Sequence, residues 1–254
     1  MRGCAPNVSI PLEGKVRSVD IPSFHNGIQA YTPENSMGLL DDLKKQADMV
    51  KSQQLSQQSM LQENTRLVEA RAHKTFLYLN DLLKQLAVLK PTNPTAYSIP
   101  GIGDFQDLVF AESFIGYRKK KIFDKDYYDV INFFIKWASP ASISLERDMP
   151  ATIQKVRDVL WSFGLKFTEE EIKKPGGGFQ KLKFTVPASI TCDITITADH
   201  ENGRLVVKGK HFLRLGADEL HIPAGDIDDA LLEEFAKMLI GRRSVLRKYR
   251  VAGF

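Results

Sequence analysis

From Glu34 to Lys90 the chain contains no proline and a single glycine, Gly38. Proline removes a backbone donor and clashes inside a helix, and glycine costs a helix about 1 kcal/mol, so a run this free of both can form one continuous helix. Its apolar residues fall into two patterns. Leu40, Leu43, Ala47 and Val50 recur at coiled-coil a/d spacing, Gln54 and Gln57 interrupt that seam, and Leu61, Asn64 and Val68 resume it. Beyond Val68 the apolar face widens to Ala72, Phe76, Leu79, Leu83 and Leu86, with Leu77, Leu82 and Leu89 beside it. A narrow seam accepts one partner helix, whereas a wide face suits burial against a globular body. The expectation is self-association through Leu40, Leu43, Ala47, Val50, Leu61 and Val68, with the rear of the helix docked on the chain's own domain. The charges of the run are mixed, eight basic against seven acidic, which describes a solvated surface rather than a polybasic face.

Pro91, Pro94 and Pro100, with Gly101 and Gly103, end the helical run, and the apolar period then changes to two. Leu108 to Tyr117 predicts a strand. Ile131, Phe133, Ile135 and Trp137 predict a second, joined to the first by a hairpin at Phe123–Asp126, and Ile143 and Leu145 a short third. A helix follows, with Asp148 as its cap, Pro150 in its first turn, Ile153, Val156, Leu160 and Phe163 on one face, and Gly164 at its end. Two further hairpins turn at Lys174–Gly178 and at Asp199–Gly203, where Asn202-Gly203 supplies the positive φ such a turn needs. A last helix is expected from Gly225-Asp226 toward Arg250, buried along Ile227, Leu231, Phe235 and Met238. Its acidic start and basic end would complement the helix dipole. The predicted fold is α+β: a long N-terminal helix (coiled coil) followed by an antiparallel meander sheet with two helices. The organisation expected is an extended arm over 1–33, the helix over 34–90, a Pro/Gly linker over 91–104 and the α+β domain over 105–254.

The 254 residues carry a net charge of +4, and 43% are hydrophobic, which excludes collagen, a disulfide scaffold and wholesale disorder. Cys4 and Cys192 belong to no CxxC, so a zinc site and a disulfide framework are not expected. No stretch has the length of a membrane span, and no apolar run follows the N-terminal Met1-Arg2, so a cytoplasmic protein is expected.

Gly176-Gly177-Gly178 is followed by Phe179-Gln180-Lys181 and lacks the Gly-Lys-Ser/Thr of a phosphate loop, and Gly101-Ile102-Gly103 lacks the third glycine of a dinucleotide site. No HExxH occurs among His25, His73, His200, His211 and His221, and edge-strand positions account for them without a metal. Cys192 alternates with Ile190, Ile194 and Ile196 and is expected to be a buried small hydrophobe. No catalytic set, metal site or cofactor is expected. Two basic clusters, Arg118-Lys119-Lys120-Lys121 and Arg242, Arg243, Arg247, Lys248 and Arg250, are the candidates for an anionic partner such as nucleic acid, the first flanked by Tyr117, Tyr127 and Tyr128.

The runs Asn64-Thr65-Arg66-Leu67-Val68-Glu69-Ala70-Arg71 and Leu86-Ala87-Val88-Leu89-Lys90-Pro91 resemble bacterial proteins that carry a short coiled coil before an α+β domain, sometimes labelled rootletin-like. That resemblance covers residues 40–120 and implies a coiled coil and a bacterial cytoplasmic source, with no chemistry attached. The function expected is that of a non-enzymatic interaction or assembly protein, which self-associates or meets a protein partner through the helix and docks partners with its sheet domain. The alternative is a nucleic-acid-binding accessory protein.

Overall fold

The computed structural model describes residues 38–251 except Phe123 and Leu213. The arm expected over 1–33, the helix start at 34–37, Cys4 and His25 lie outside the described residues. The chain divides into two units, Met1–Met49 and Val50–Phe254, with the boundary inside helix α1 (Leu39–Leu89). In the first unit, residues 38–49 are exposed. In the second, Thr65, Val68, Ala72, Thr75, Leu79, Leu83 and Leu86 are buried at steps of three and four, the spacing of one helix face. Rear docking is thus realised. Val68, expected on the self-association seam, is instead fully enclosed in the core, because the wide apolar face begins there rather than beyond it.

The strands are β1 (Thr92–Asn93), β2 (Tyr97–Ile99), β3 (Gly103–Phe105), β4 (Leu108–Ile122), β5 (Lys125–Arg147), β6 (Thr168–Lys173), β7 (Phe179–Asp199), β8 (Arg204–Lys210) and β9 (Ala217–Pro223). A seven-stranded antiparallel sheet runs β1-β4-β5-β7-β8-β9, with β6 also on β7, while β2 and β3 pair separately. The fold is α+β, as the change of period implies. The stretch 91–104 is not a linker: it holds β1, β2 and the start of β3, and it buries Asn93, Tyr97 and Ile99. The strands expected at 131–137 and 143–145 are one strand, β5, with an irregular register between Ala138 and Ser142. β9 escapes the alternation rule because it carries Asp218 and Glu219, both buried. Their charge is matched locally: Arg250 Nε lies 2.7 Å from Asp218, and Lys208 Nζ lies 3.1 Å from Glu219.

Along β7 every even residue from Leu182 to Ala198 is buried, and Tyr128 or the odd residues Ile131 to Trp137 answer from β5. This inner face is covered by α1 and by helix α3 (Asp229–Leu239). Phe76 of α1 meets Tyr117 edge-to-face at 4.8 Å, and Phe235 of α3 lies 6.5 Å from Phe133. Lys74 of α1 pairs with Asp229 of α3 at 2.9 Å. Helix α2 (Pro150–Ser162) buries Ile153, Val156 and Leu160. Its N-cap position is Met149 with no side-chain cap, so Asp148 does not serve as predicted; Pro150 stands at the first turn, where its missing donor costs nothing.

The last helix is shorter than its charge pattern predicts. Asp228 caps α3 by accepting from Leu231 N at 2.8 Å, and the helix ends at Leu239. Gly241 follows at φ +77°, where an added Cβ would lie 2.0 Å from Asn93 Oδ1, so the backbone turns against β1 where no side chain fits. Arg247 and Lys248 belong to a separate 3-10 turn, Val245–Tyr249, anchored by the enclosed Leu246. The α3 dipole therefore does not account for that basic run; Lys237 is the base in its last turn.

Polar latches fix α1 at one end of the sheet. Glu69 accepts from Tyr128 N at 2.6 Å, and Asn64 Nδ2 donates to Glu201 O at 3.0 Å. Gly203, at φ +65°, admits Asn64 so closely that a Cβ there would stand 2.8 Å from its oxygen. His200, buried in the same turn, bonds Tyr128 O at 2.7 Å. Leu79→Ala, which empties an enclosed site between helix and sheet, is expected to cost about 2–5 kcal/mol in denaturant unfolding. Leu77→Ala, at a position half exposed on the same helix, should cost about 0.5 kcal/mol or less.

Candidate functional site

β7 changes neighbours along one side. It pairs with β6 up to Thr185 and with β8 from Asp193 on, so residues 186–192 have no strand there. The chain that leaves α2 and the turn after β8 approach this gap, and a groove of about 560 Å³ opens over it on the outer face of the sheet. Phe134 and Phe163 give it apolar walls, Ser189 and Thr191 bring hydroxyls from β7, and Lys136 and Lys166 bring positive charge against the single carboxylate of Glu112. The antiparallel register places Glu112 opposite Lys136 and Lys136 opposite Thr191. Phe114, 60% exposed, stacks on Phe134 beside the groove at 6.3 Å.

His211 lines the groove and stands at φ +61°, a left-handed conformation uncommon for a side-chain-bearing residue. Its position is over-determined. Its N–H donates to Gly216 O at 2.8 Å, and its carbonyl accepts from Cys192 Sγ at 3.0 Å and from Tyr97 Oη at 3.3 Å. Gly216 N donates to Nδ1 at 3.1 Å, so Nε2 carries the proton of the neutral ring, and the Phe163 carbonyl accepts from the imidazole. Burial holds its pKa below the usual histidine value, partly offset by that carbonyl. With both ring nitrogens engaged, His211 is a structural tie between the α2 exit and the end of β8, with no free lone pair to act as a base. Cys192 sits on the other side of this tie. Burial pushes its thiol up to about 12, so it stays a neutral donor.

His221 lies in a chain of charges on β8 and β9. Arg204 Nη1 is 3.1 Å from its Nδ1, and Glu219 is 2.6 Å from its Nε2. Since arginine only donates, Nδ1 accepts and Nε2 donates to Glu219. The chain extends to Asp199, which Arg204 bonds at 2.8 Å, and to Lys208 on Glu219. Burial disfavours the charge of Asp199 and Glu219, yet these partners outweigh it and hold both carboxyls below their usual range.

Of the seam residues, Leu40, Leu43 and Val50 are 66%, 53% and 50% exposed, Ala47 is exposed, and Leu61 is half-buried. Asn64 and Val68, on the same seam in the sequence, are engaged by the chain's own body. The basic clusters are separated by the sheet order: Arg118–Lys121 lie on β4, Arg250 bridges to Leu220 on β9, and β5, β7 and β8 stand between. Each is also partly neutralised. Arg118 and Lys120 both reach Asp129, at 2.7 and 3.5 Å, Lys119 lies 5.1 Å over the Tyr128 ring, and Arg250 pairs with Asp218. Arg242, Arg243, Arg247 and Lys248 are exposed, with Lys248 lying 4.7 Å over Tyr249. The groove was missed by sequence reasoning because it forms where a strand changes partner, which no local pattern records.

Compared with known proteins, the chain matches no family, no curated protein and no solved structure. Among the described residues, no helix is long and apolar enough to cross a membrane.

The buried neutral histidine makes stability depend on pH with a definite sign. Its folded pKa lies below the unfolded value of about 6.5, so the unfolded chain takes up a proton first as pH falls. The stability from its neutral form is complete above about pH 6.5 and is lost as pH drops toward the folded value, at no more than about 1.4 kcal/mol per unit. Asparagine tolerates the left-handed conformation. His211→Asn is therefore expected to flatten the fall in Tm between pH 7.5 and 5.5 relative to wild type, as read by thermal unfolding.

Proposed function

We propose that this chain is a non-enzymatic assembly protein that self-associates by pairing the front of α1 with the same segment of a second copy. The observation that carries this reading is a helix face covered along only part of its length. At about 100° per residue, Val50, Gln54, Gln57 and Leu61 project within about 40° of Val68, the face that the sheet covers further along. Val50 is exposed by half and Gln54 and Gln57 are exposed, and the a/d spacing carries the same seam forward to Leu40 and Leu43.

A second copy of the helix suits this seam because its spacing is that of helix packed on helix. The Gln54 and Gln57 positions resemble the polar seam residues that set register at some cost in stability. Fully burying a leucine or valine side chain is favourable by about 1.5–3 kcal/mol, so the seam has a driving force to pair. The sheet domain, held in one cytoplasmic assembly by such pairing, would present its outer face to partners. The fixed tautomer and occupied nitrogens of His211 support a binding groove rather than a catalytic one. The nucleic-acid reading has less support, since three strands separate its two clusters and acidic or aromatic neighbours already hold several of its cations.

Light scattering on the full chain tests the proposal. Wild type should be an oligomer at micromolar concentration, and Leu43→Glu with Val50→Glu should weaken the helix contact at least tenfold. Both positions are exposed, so the double variant should melt within about 2 °C of wild type. A seam variant that associates as wild type does would sink the proposal.

A further inference from the structure

β4 pairs with β5 along its length, but on its other side it meets β1 only at Leu108 and Val109, with one further bond from Phe110 N to Pro91 O. Among the described residues, no backbone hydrogen bond reaches that side from Ala111 to Ile122. Such an edge is a row of open donors and acceptors that templates another strand, and natural edges are usually blunted by charge, proline, bulges or cover. The edges at β9 and β6 are managed this way. Val251 N donates to Glu219 O and Arg250 bridges to Leu220, closing β9, and the short β6 carries Glu169, Glu170 and Glu171.

On β4 the blunting devices stand only at the ends. The register is irregular between Phe110 and Glu112 and again between Arg118 and Lys119, where Lys119, Lys120 and Lys121 begin. Between them, Glu112 to Arg118 is a regular stretch without lysine or proline, and it exposes Phe114 by 60% and Tyr117 by 51%.

We propose that this stretch pairs antiparallel with the same stretch of a second copy, about a two-fold axis through Ile115. The argument is the self-complementarity of the sequence in that register, which alone uses the whole regular stretch. Residues equidistant from Ile115 then face each other on the same side of the sheet. Glu112 meets the partner subunit's Arg118, twice by symmetry, and Phe114 meets the partner subunit's Gly116, which brings the two Phe114 rings side by side on the outer face. Phe114 already covers its own Gly116, where an added Cβ would lie 3.3 Å from the ring. Arg118 holds Asp129 through Nε and Nη2, leaving Nη1 for a second carboxylate. Opposite charges set directly across a strand pair stabilise it, and like charges destabilise it. This contact is carried by the sheet edge and does not depend on the helix pairing proposed above.

The test uses the full chain with Leu43→Glu and Val50→Glu, so that failure of the edge is not confused with failure of the helix. With Cys4 replaced by Ser and Cys192 buried, Ile115→Cys lies opposite itself and should oxidise to a disulfide dimer at least tenfold faster than Ser113→Cys or Phe114→Cys. Glu112→Arg should raise the dimer Kd at least tenfold, and adding Arg118→Glu should bring it back within about threefold, with circular dichroism confirming that each variant is folded. Equal cross-linking at 113, 114 and 115, no recovery in the folded charge-swapped variant, or a monomer at about 100 micromolar would each overturn the proposal.

Discussion

The inner face of the sheet must be covered, and the rest of the structure depends on how that is done. β5 and β7 are long and almost unbroken, and together they present Ile131, Phe133, Ile135 and Trp137 beside Phe184, Ile190, Cys192, Ile194 and Ile196. A sheet with this much apolar surface on one side cannot stand in water alone. The rear of α1 supplies the lid, with α3 beside it, and the packing is dense enough that Val68, Leu79, Ile135 and Trp137 are fully enclosed. The helix is thus part of the domain rather than an appendage to it. The stretch after it, which proline and glycine mark as a break, is the strap that carries the chain from helix back to sheet.

The same requirement explains where polar groups sit. Covering the sheet leaves backbone and side-chain donors at its ends to be satisfied, and these ends hold the specific hydrogen bonds: Glu69 on Tyr128 N, Asn64 on Glu201 O, His200 on Tyr128 O. Further along β7, the His211 carbonyl accepts from both Cys192 and Tyr97. An apolar interface alone would tolerate a helix sliding by a turn. The Asn64 contact does not, because it requires the bare backbone of Gly203 at that point. The Glu69 and Asn64 contacts at one end and the apolar middle therefore set both the register and the strength of the docking.

Much of this architecture was legible in the sequence, because its dominant elements follow simple periods. The proline-free run marked α1, the alternations at Leu182–Val186 and Ile190–Ile196 marked two strands that the structure joins as β7, and glycine with Asn202 or Pro175 marked the hairpin turns. What escaped was set by contacts between distant residues. β9 is buried yet carries Asp218 and Glu219, which Arg250 and Arg214 on the first and Lys208 and His221 on the second make tolerable. α3 stops at Leu239 because Gly241 must pass Asn93, a residue far away in the chain. Of the candidate site residues, Leu40, Leu43 and Val50 were readable as exposed apolar positions, while Val68 was not separable from them, since heptad spacing continues unchanged from a free face into a buried one.

The charged groups buried behind β9 are held by specific ion pairs. Among the described residues, two surfaces, one apolar and one hydrogen-bonding, stand out as uncovered: the forward part of the helix face, and the Glu112–Arg118 edge of β4. They differ in what they can recognise. A helix face reads apolar size and spacing, so its register can slip by a heptad unless a polar residue such as Gln54 resists. A strand edge reads backbone in steps of two residues, and slipping by one would send Glu112 and Arg118 to opposite faces. Register at the edge is therefore the more sharply defined of the two, and charge placement there should govern specificity more than affinity. The two proposed contacts would divide the task, the helix setting the strength of an assembly and the sheet edge its geometry.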